Sequence, residues 1–248
     1  MKPDSLCNYL DWDSEFFSRR IARVASNRLT EETLKGVLSW SEENSIDCLY
    51  FLADAADKES AALAADNGFR FVDIRTTYER PLASDEDFGE KAPEIRLSIP
   101  EDIPALRSIA GVSHRDSRFY FDPNFSESAC NALYETWIEK SCQGYAHAVL
   151  VAEIDGRAVG YISLHLDEGN VGQIGLIAVG ADAKGHGLGK KLINESLRWF
   201  ASQGVGRVTV VTQGRNVVAQ RLYQRFGFML TSVEVWYHRW FPERGRMK

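Results

Sequence analysis

From Leu188 to about Ser202, the apolar residues Leu192, Ile193, Leu197 and Phe200 recur at intervals of three and four, with Ser196 on the same stripe and Gly204 beyond. That spacing predicts an amphipathic helix with one buried face and a glycine stop. Period two dominates just upstream. His147-Ala-Val-Leu-Val-Ala-Glu-Ile and Arg157-Ala-Val-Gly-Tyr-Ile-Ser-Leu-His165 read as two strands joined at Asp155-Gly156, a short hairpin signal, and Val171 to Val179 reads as a third antiparallel strand. Val205 to Thr212 follows the helix, so it returns parallel to the strand that ends at Val179. Earlier, Glu94 to Ile99 alternates as a strand, and Pro100 to Ala110 reads as a helix with acids in its first turn. Val112 to Phe125 is irregular and carries Phe119, Tyr120 and Phe121. Ser126 then caps a helix running to about Cys142, with Ala129, Leu133, Trp137 and Ile138 on one face. The class is α/β, with a mixed sheet of the α+β kind.

The two halves are alike at their ends. Gly68-Phe69 is followed by Tyr78 and Arg80 at the same offsets at which Gly227-Phe228 is followed by Tyr237 and Arg239, and Leu63 precedes Gly68 as Leu222 precedes Gly227. A strand-like run at 47–52 stands before the first helix as 207–212 stands before the second. This reads as an internal repeat, with residues 1–83 a smaller, degenerate α/β domain; chance is the competing account for so few identities. Residues 84–93 are acidic, poor in large apolar side chains and closed by Pro93, as in an exposed linker, and 94–248 form the main domain. Ala64 occupies the place of Tyr223, and the first half has no glycine loop, so the chemistry belongs to the second half.

Composition narrows the class. The chain has 248 residues, 44% of them hydrophobic, enough for a sizeable core. A formal net charge of −6 argues against a nucleic-acid or anionic-membrane surface. Cys7, Cys48, Cys130 and Cys142 show no C-x-x-C spacing, so they read as free thiols in a reducing cytoplasm, with no metal site. The start, Met1-Lys-Pro-Asp-Ser, lacks an apolar targeting core, and no run approaches the roughly 18 apolar residues of a membrane span.

One segment carries the candidate chemistry. In Lys184-Gly-His-Gly-Leu-Gly-Lys190, three alternate glycines separate a buried strand from the amphipathic helix. Gly185, Gly187 and Gly189 remove side chains where backbone N–H groups must approach phosphate oxygens, and the helix from Leu188 turns its positive end to the same place. The spacing matches neither the G-x-x-x-x-G-K-[ST] loop nor G-x-G-x-x-G. His186 reads as a solvent-facing spacer.

The segment resembles the GNAT acyl-CoA N-acyltransferase family, whose signature is an apolar strand, [RQ]-x-x-G-x-[GA] and a helix. Lys184 stands in place of the usual arginine or glutamine, keeping a cation but not the planar fork. A second landmark follows, since Asn216-Val-Val-Ala-Gln-Arg-Leu-Tyr-Gln-Arg-Phe-Gly-Phe228 is similar to the family's N-x-x-A-x-x-[LF]-Y-x-x-x-G-F helix. The resemblance implies a GNAT fold preceded by a degenerate GNAT-like domain, and acetyl-CoA as acyl donor. It implies coenzyme contacts from Ile177, Ala178, Val179, Lys184 to Lys190, Asn216 and Ala219, with Ile177 N–H binding the thioester carbonyl. Tyr223 occupies the position of the family's general-acid tyrosine, and a phenol with pKa of about 10 can protonate a departing thiolate. Asn216 also reads as a plain helix cap.

The usual base is absent, because Gln173, Gly175 and Leu176 accept no proton at neutral pH. His165, Glu153 and Asp73 stay open, each with a plain reading as a surface or strand-edge residue. Trp12-Asp-Ser-Glu-Phe-Phe17 and Asp116-Ser-Arg-Phe-Tyr-Phe-Asp-Pro123 resemble the sugar-nucleotide branch of the family, with Ser18 where glycine is usual. That implies as acceptor the 4-amino group of a dTDP-linked amino-deoxysugar. Arg115 and Arg118 would meet its diphosphate, Tyr120 its base, and Arg75 and Tyr78 would form another wall. A self-packed surface loop is the competing account. Other acceptors, a protein, amino-acid or antibiotic amine, and a non-catalytic coenzyme sensor stay open, as does core or homodimer packing for Trp236, Tyr237 and Trp240.

Overall fold

The computed structural model describes residues 6–83 and 85–242; residues 1–5, Ser84 at the head of the expected linker, and 243–248 at the end of the expected main domain lie outside the described residues. The elements in chain order are β1 (Cys7–Tyr9), α1 (Asp11–Phe17), β2 (Ile21–Val24), α2 (Glu31–Glu43), β3 (Cys48–Asp54), α3 (Lys58–Asp66), β4 (Arg70–Pro81) and β5 (Ile95–Leu97). There follow α4 (Ile103–Ser113), α5 (Glu127–Lys140), β6 (Ala148–Ile154), β7 (Arg157–Asp167), β8 (Val171–Val179), α6 (Leu188–Ser202), β9 (Arg207–Gln213), α7 (Val217–Arg225) and β10 (Met229–Trp240). Two compact units result. One runs up to Arg75 and includes Phe121–Asn124 and the chain from Val233; the other comprises Thr76–Tyr120 and Phe125–Ser232.

In the first unit β1 pairs antiparallel with β2, β2 parallel with β3, and β3 antiparallel with the part of β10 from Glu234 to Trp240. Its core packs Leu34 and Val37 of α2 and Ala64 of α3 on Leu49 and Phe51 of β3. The loop entering α2 is closed by Thr30, whose hydroxyl accepts from Thr33 N while Thr33 Oγ1 accepts from Thr30 N. With Glu31 and Glu32 next to this capping box, the helix start offers no seat for an anion.

The second unit holds the strand order β4-β9-β8-β7-β6-β5. The β6–β7 turn is made by Asp155 and Gly156, both at positive φ (50° and 73°), the two left-handed positions that a type I′ hairpin demands. Leu192, Ile193, Leu197 and Phe200 of α6 are buried against Ile162, Leu164, Val208 and Val210. The predicted stripe is thus the packed face, and Gly204 follows the helix at φ 73°. Residues 85–93 are largely exposed but tied to α6: Asn194 and Arg198 donate to Phe88 O, and Ala92 N donates to Glu195.

The internal likeness extends to element lengths. β3 and β9 have seven residues each, α3 and α7 nine, and β4 and β10 twelve. Asp57 caps α3 as Asn216 caps α7, and Gly68 and Gly227 take φ 77° and 78° before the final strands. Those final strands are exchanged. β4 passes from Thr76 into the second unit, beside β9, and β10 passes from Val233 into the first, beside β3. The four cysteines are free thiols, and no helix among the described residues is long and apolar enough to cross a membrane.

Candidate functional site

β8 and β9 are paired in parallel from Val171/Arg207 to Ile174/Val210, and the pairing stops there although both strands continue. The same point carries a bulge. Ile162 faces Ile177 and Leu164 faces Ile174, so Gly175 and Leu176 together oppose Ser163. Ser163 is fully buried and its hydroxyl accepts from Leu176 N at 2.8 Å, which satisfies the amide that the bulge takes out of register. Beyond it, Gly180 N donates to Val159 O at 2.8 Å. Hydrogen-bonded and non-bonded pairs alternate along an antiparallel ladder, so Ala178 also bonds to β7 while Ile177 and Val179 turn their peptide groups to the other edge. At that edge the pairing with β9 has already ended at Ile174/Val210, which leaves a slot between the two strands.

The slot runs into the glycine loop. Gly185 and Gly187 sit at φ 88° and 75°, the left-handed region that side chains rarely adopt, and no atom lies within 4 Å of where a Cβ would stand on either. The five successive amides of residues 185 to 189 donate to no group among the described residues. Lys190 and Lys191 are the first whose N–H is used, both reaching Gly187 O. Exposed Lys184, His186 and Lys190 border this nest, and the first turn of α6 holds no acid. Bare donors, a helix start and two cations fit a diphosphate, and an extended amide-bearing arm fits the slot beside Ile177 and Val179. These residues fit an acyl-CoA.

α7 supplies the third part. Asn216 Oδ1 accepts from Ala219 N at 3.1 Å, so its cap is observed. Gln220 fixes the turn before it, donating to Gln213 O and Gly214 O at 3.0 and 2.9 Å. Tyr223 is 2% exposed and packs on Tyr78 and Phe228, with ring centroids 6.3 and 5.9 Å away. Burial pushes its hydroxyl pKa well above the ordinary phenol value, which keeps the proton in place at neutral pH.

The remaining expected residues are spread more widely. Arg115 and Arg118 lie over the rings of Tyr120 and Phe119 at 5.0 and 4.3 Å. The Asn131 side-chain amide, turned so that it donates to Gly111 O and Glu127 O, also donates to the Tyr120 hydroxyl. Burial raises that phenol to about 12. Arg115 is paired with Glu127. Tyr78 is buried with its hydroxyl on Gln220 Oε1 at 3.2 Å, where it seats Tyr223 instead of lining an open wall. Arg75 belongs to the first unit and is paired with Glu234. Of the bases left open, Glu153 is held by Arg96, Asp73 is 3% exposed, and His165 is half-buried beside the bulge. Ser163 and Gln220 were not legible from the sequence, because each acts on backbone groups brought close only by a bulge or a turn.

A family profile described as "Acetyltransferase (GNAT) family" matches residues 113–228, the span of both landmarks. The dTDP-fucosamine acetyltransferase of Escherichia coli O6:H1 is 28% identical over 238 residues, covering 93% of this chain and 96% of that protein. The spore coat polysaccharide biosynthesis protein SpsD of Bacillus subtilis (strain 168) is 31% identical over 163 residues, 64% of this chain; the match spans little more than half of that protein, 56%. Among solved structures, a GCN5-related N-acetyltransferase from Sphaerobacter thermophilus superposes with a TM-score of 0.65 at 16% identity, covering 94% of this chain and 76% of that one, which shows the fold.

Proposed function

We propose that this chain, whose residues 113–228 match the model of the GNAT acetyltransferase family, transfers acetyl from acetyl-CoA to the 4-amino group of a dTDP-linked amino-deoxysugar. The observation that carries the acceptor is the correspondence along nearly the full length of both chains with a dTDP-fucosamine acetyltransferase. A match confined to the family domain would say nothing about the acceptor, because that domain is shared by enzymes of many substrates.

The loop amides of residues 185 to 189 hold the coenzyme diphosphate, with Lys184 and Lys190 adding charge, and the arm lies along Ile177 and Val179. The Ile177 N–H meets the thioester carbonyl and stabilises the oxyanion that forms on attack; a donor so placed contributes about 3 kcal/mol. Tyr223 protonates the departing sulfur. Burial raises its pKa, so the hydroxyl is protonated at neutral pH but is a weaker acid than a free phenol; the role is supported by its place in the second landmark and not by that shift. Asn216 and Ala219 keep the start of α7 against the coenzyme. Arg115, Arg118 and Tyr120 bind the nucleotide diphosphate and base, a use supported by two guanidinium groups and an aromatic ring within one segment. Residues 1–83 act as a degenerate, non-catalytic copy of the main domain, a reading supported by the equal element lengths and by the capped start of α2.

The test is thiol release from acetyl-CoA with dTDP-fucosamine as acceptor, with dTDP as competitor. Turnover with that sugar and inhibition by dTDP are expected. Turnover only with peptide, amino-acid or aminoglycoside amines would move the acceptor elsewhere, and binding of acetyl-CoA with no acceptor consumed would make the chain a sensor.

A further inference from the structure

We propose that His165 is the base that takes the proton from the attacking ammonium, a role that rests on the acetyltransferase reading above. Tyr161, Ser163 and His165 alternate along β7, so their side chains share one face of the sheet. The last two border the bulge. A Cβ built on Gly175 would stand 2.6 Å from Ser163 Oγ and 2.8 Å from His165 Nε2, distances that real side chains do not show. The imidazole therefore occupies the space that a residue at 175 would fill, and only glycine fits there.

Gly175 is exposed, and half-buried His165 sets Nε2 beside it, just past the last β8/β9 pair. Ile177, the proposed thioester anchor, lies two residues along the strand, roughly 6 to 7 Å. An acceptor nitrogen between the two reaches Nε2 directly or through one water. The ring is steadied edge-on by Tyr145, with centroids 5.5 Å apart. Other groups set its charge. Burial lowers its pKa and His147 lowers it further, while Asp167 and a hydrogen bond to the Tyr145 backbone oppose the fall. Gln173 stands opposite on β8 and carries no charge. The imidazole is thus neutral, with a lone pair to offer, at pH 7.

The proton count closes. The ammonium gives one proton to Nε2, which passes it to solvent; the freed lone pair forms the C–N bond, the C–S bond breaks, and the sulfur leaves with the proton of Tyr223. The second nitrogen proton restores Tyr223 through solvent.

The experiment compares wild type with His165→Gln, His165→Ala and Gly175→Ala, using acetyl-CoA and dTDP-fucosamine, across pH 5 to 9, with coenzyme affinity measured by calorimetry on each protein. In wild type kcat/KM should fall below a pKa lower than 6.5. His165→Gln should lose about a hundredfold in kcat together with that acidic limb, while its coenzyme Kd stays within twofold and so reports an intact fold. Gly175→Ala should lose activity by displacing the ring, and imidazole added to His165→Ala should restore part of the rate. A His165→Gln enzyme with the wild-type rate and pH profile overturns the assignment and leaves the acetyltransferase reading standing. Wild type that binds acetyl-CoA yet acetylates no amine overturns both.

Discussion

Ser18 shows how a departure from a family pattern becomes physics at one residue. It ends α1 at φ 51° and ψ 43°, the left-handed cap position for which glycine is favoured, so a Cβ is carried where it costs free energy. Ser18→Gly should raise the thermal midpoint, because it removes left-handed strain of about 1 kcal/mol, and a lower midpoint would show that the serine side chain and the glycine's added chain entropy outweigh the strain removed. Tyr223→Phe keeps the packing and removes the proton. We expect kcat to fall about a hundredfold at pH 7 with an unchanged coenzyme Kd; full activity would end the general-acid assignment. His114 bears on stability. Its Nε2 lies 2.9 Å from the Tyr161 hydroxyl, its ring stacks on Tyr134, and burial lowers its pKa to about 4. The unfolded chain binds this proton below about 6.5 and the fold does not until about 4, so stability rises with pH across that window and is lost as pH falls through it. Urea midpoints between pH 7 and 4.5 should therefore fall further in wild type than in His114→Gln.

At the scale of elements, the glycine loop and α6 act together. Gly185 and Gly187 have empty space at the Cβ position, so substitution there acts through backbone conformation and through access to the amides. Gly187→Val should weaken acetyl-CoA binding tenfold or more in calorimetry, whereas His186→Ala, beside it and exposed, should change it little. Equal affinities for wild type and Gly187→Val would place the phosphates elsewhere. This part of the fold was legible in the sequence because one physical cause set each signal. The stripe of α6 is its packed face, and Asp155-Gly156 supplies the two positive φ angles of the hairpin. Asn216 and Ser126 cap the helices they precede. The bulge was not legible. Nothing local in Ile174-Gly175-Leu176 distinguishes a glycine that spares an imidazole from one that bends a strand; the difference lies on β7.

At the scale of the whole molecule, the exchange of final strands escaped the sequence for a similar reason. The repeat is written in the spacing of Gly68 and Gly227 and of the elements around them, but the neighbour of each last strand is a tertiary fact. Tyr78 illustrates the consequence: read as a wall residue, it is carried by β4 into the second unit and packs under Tyr223. A fragment of residues 94–248 lacks β4 and leaves the β9 edge and Tyr223 uncovered. Such a fragment should lose its near-ultraviolet circular dichroism and its coenzyme binding, even though it contains the glycine loop. A well-folded, coenzyme-binding fragment would contradict the exchanged arrangement.

The proposed function depends above all on the free main-chain amides between Gly185 and Gly189 receiving the coenzyme diphosphate. When acetyl-CoA is titrated into the 15N-labelled chain of residues 1–248, those five amide resonances should shift downfield together and saturate at the calorimetric Kd. Saturation of binding with these five resonances unmoved would contradict it.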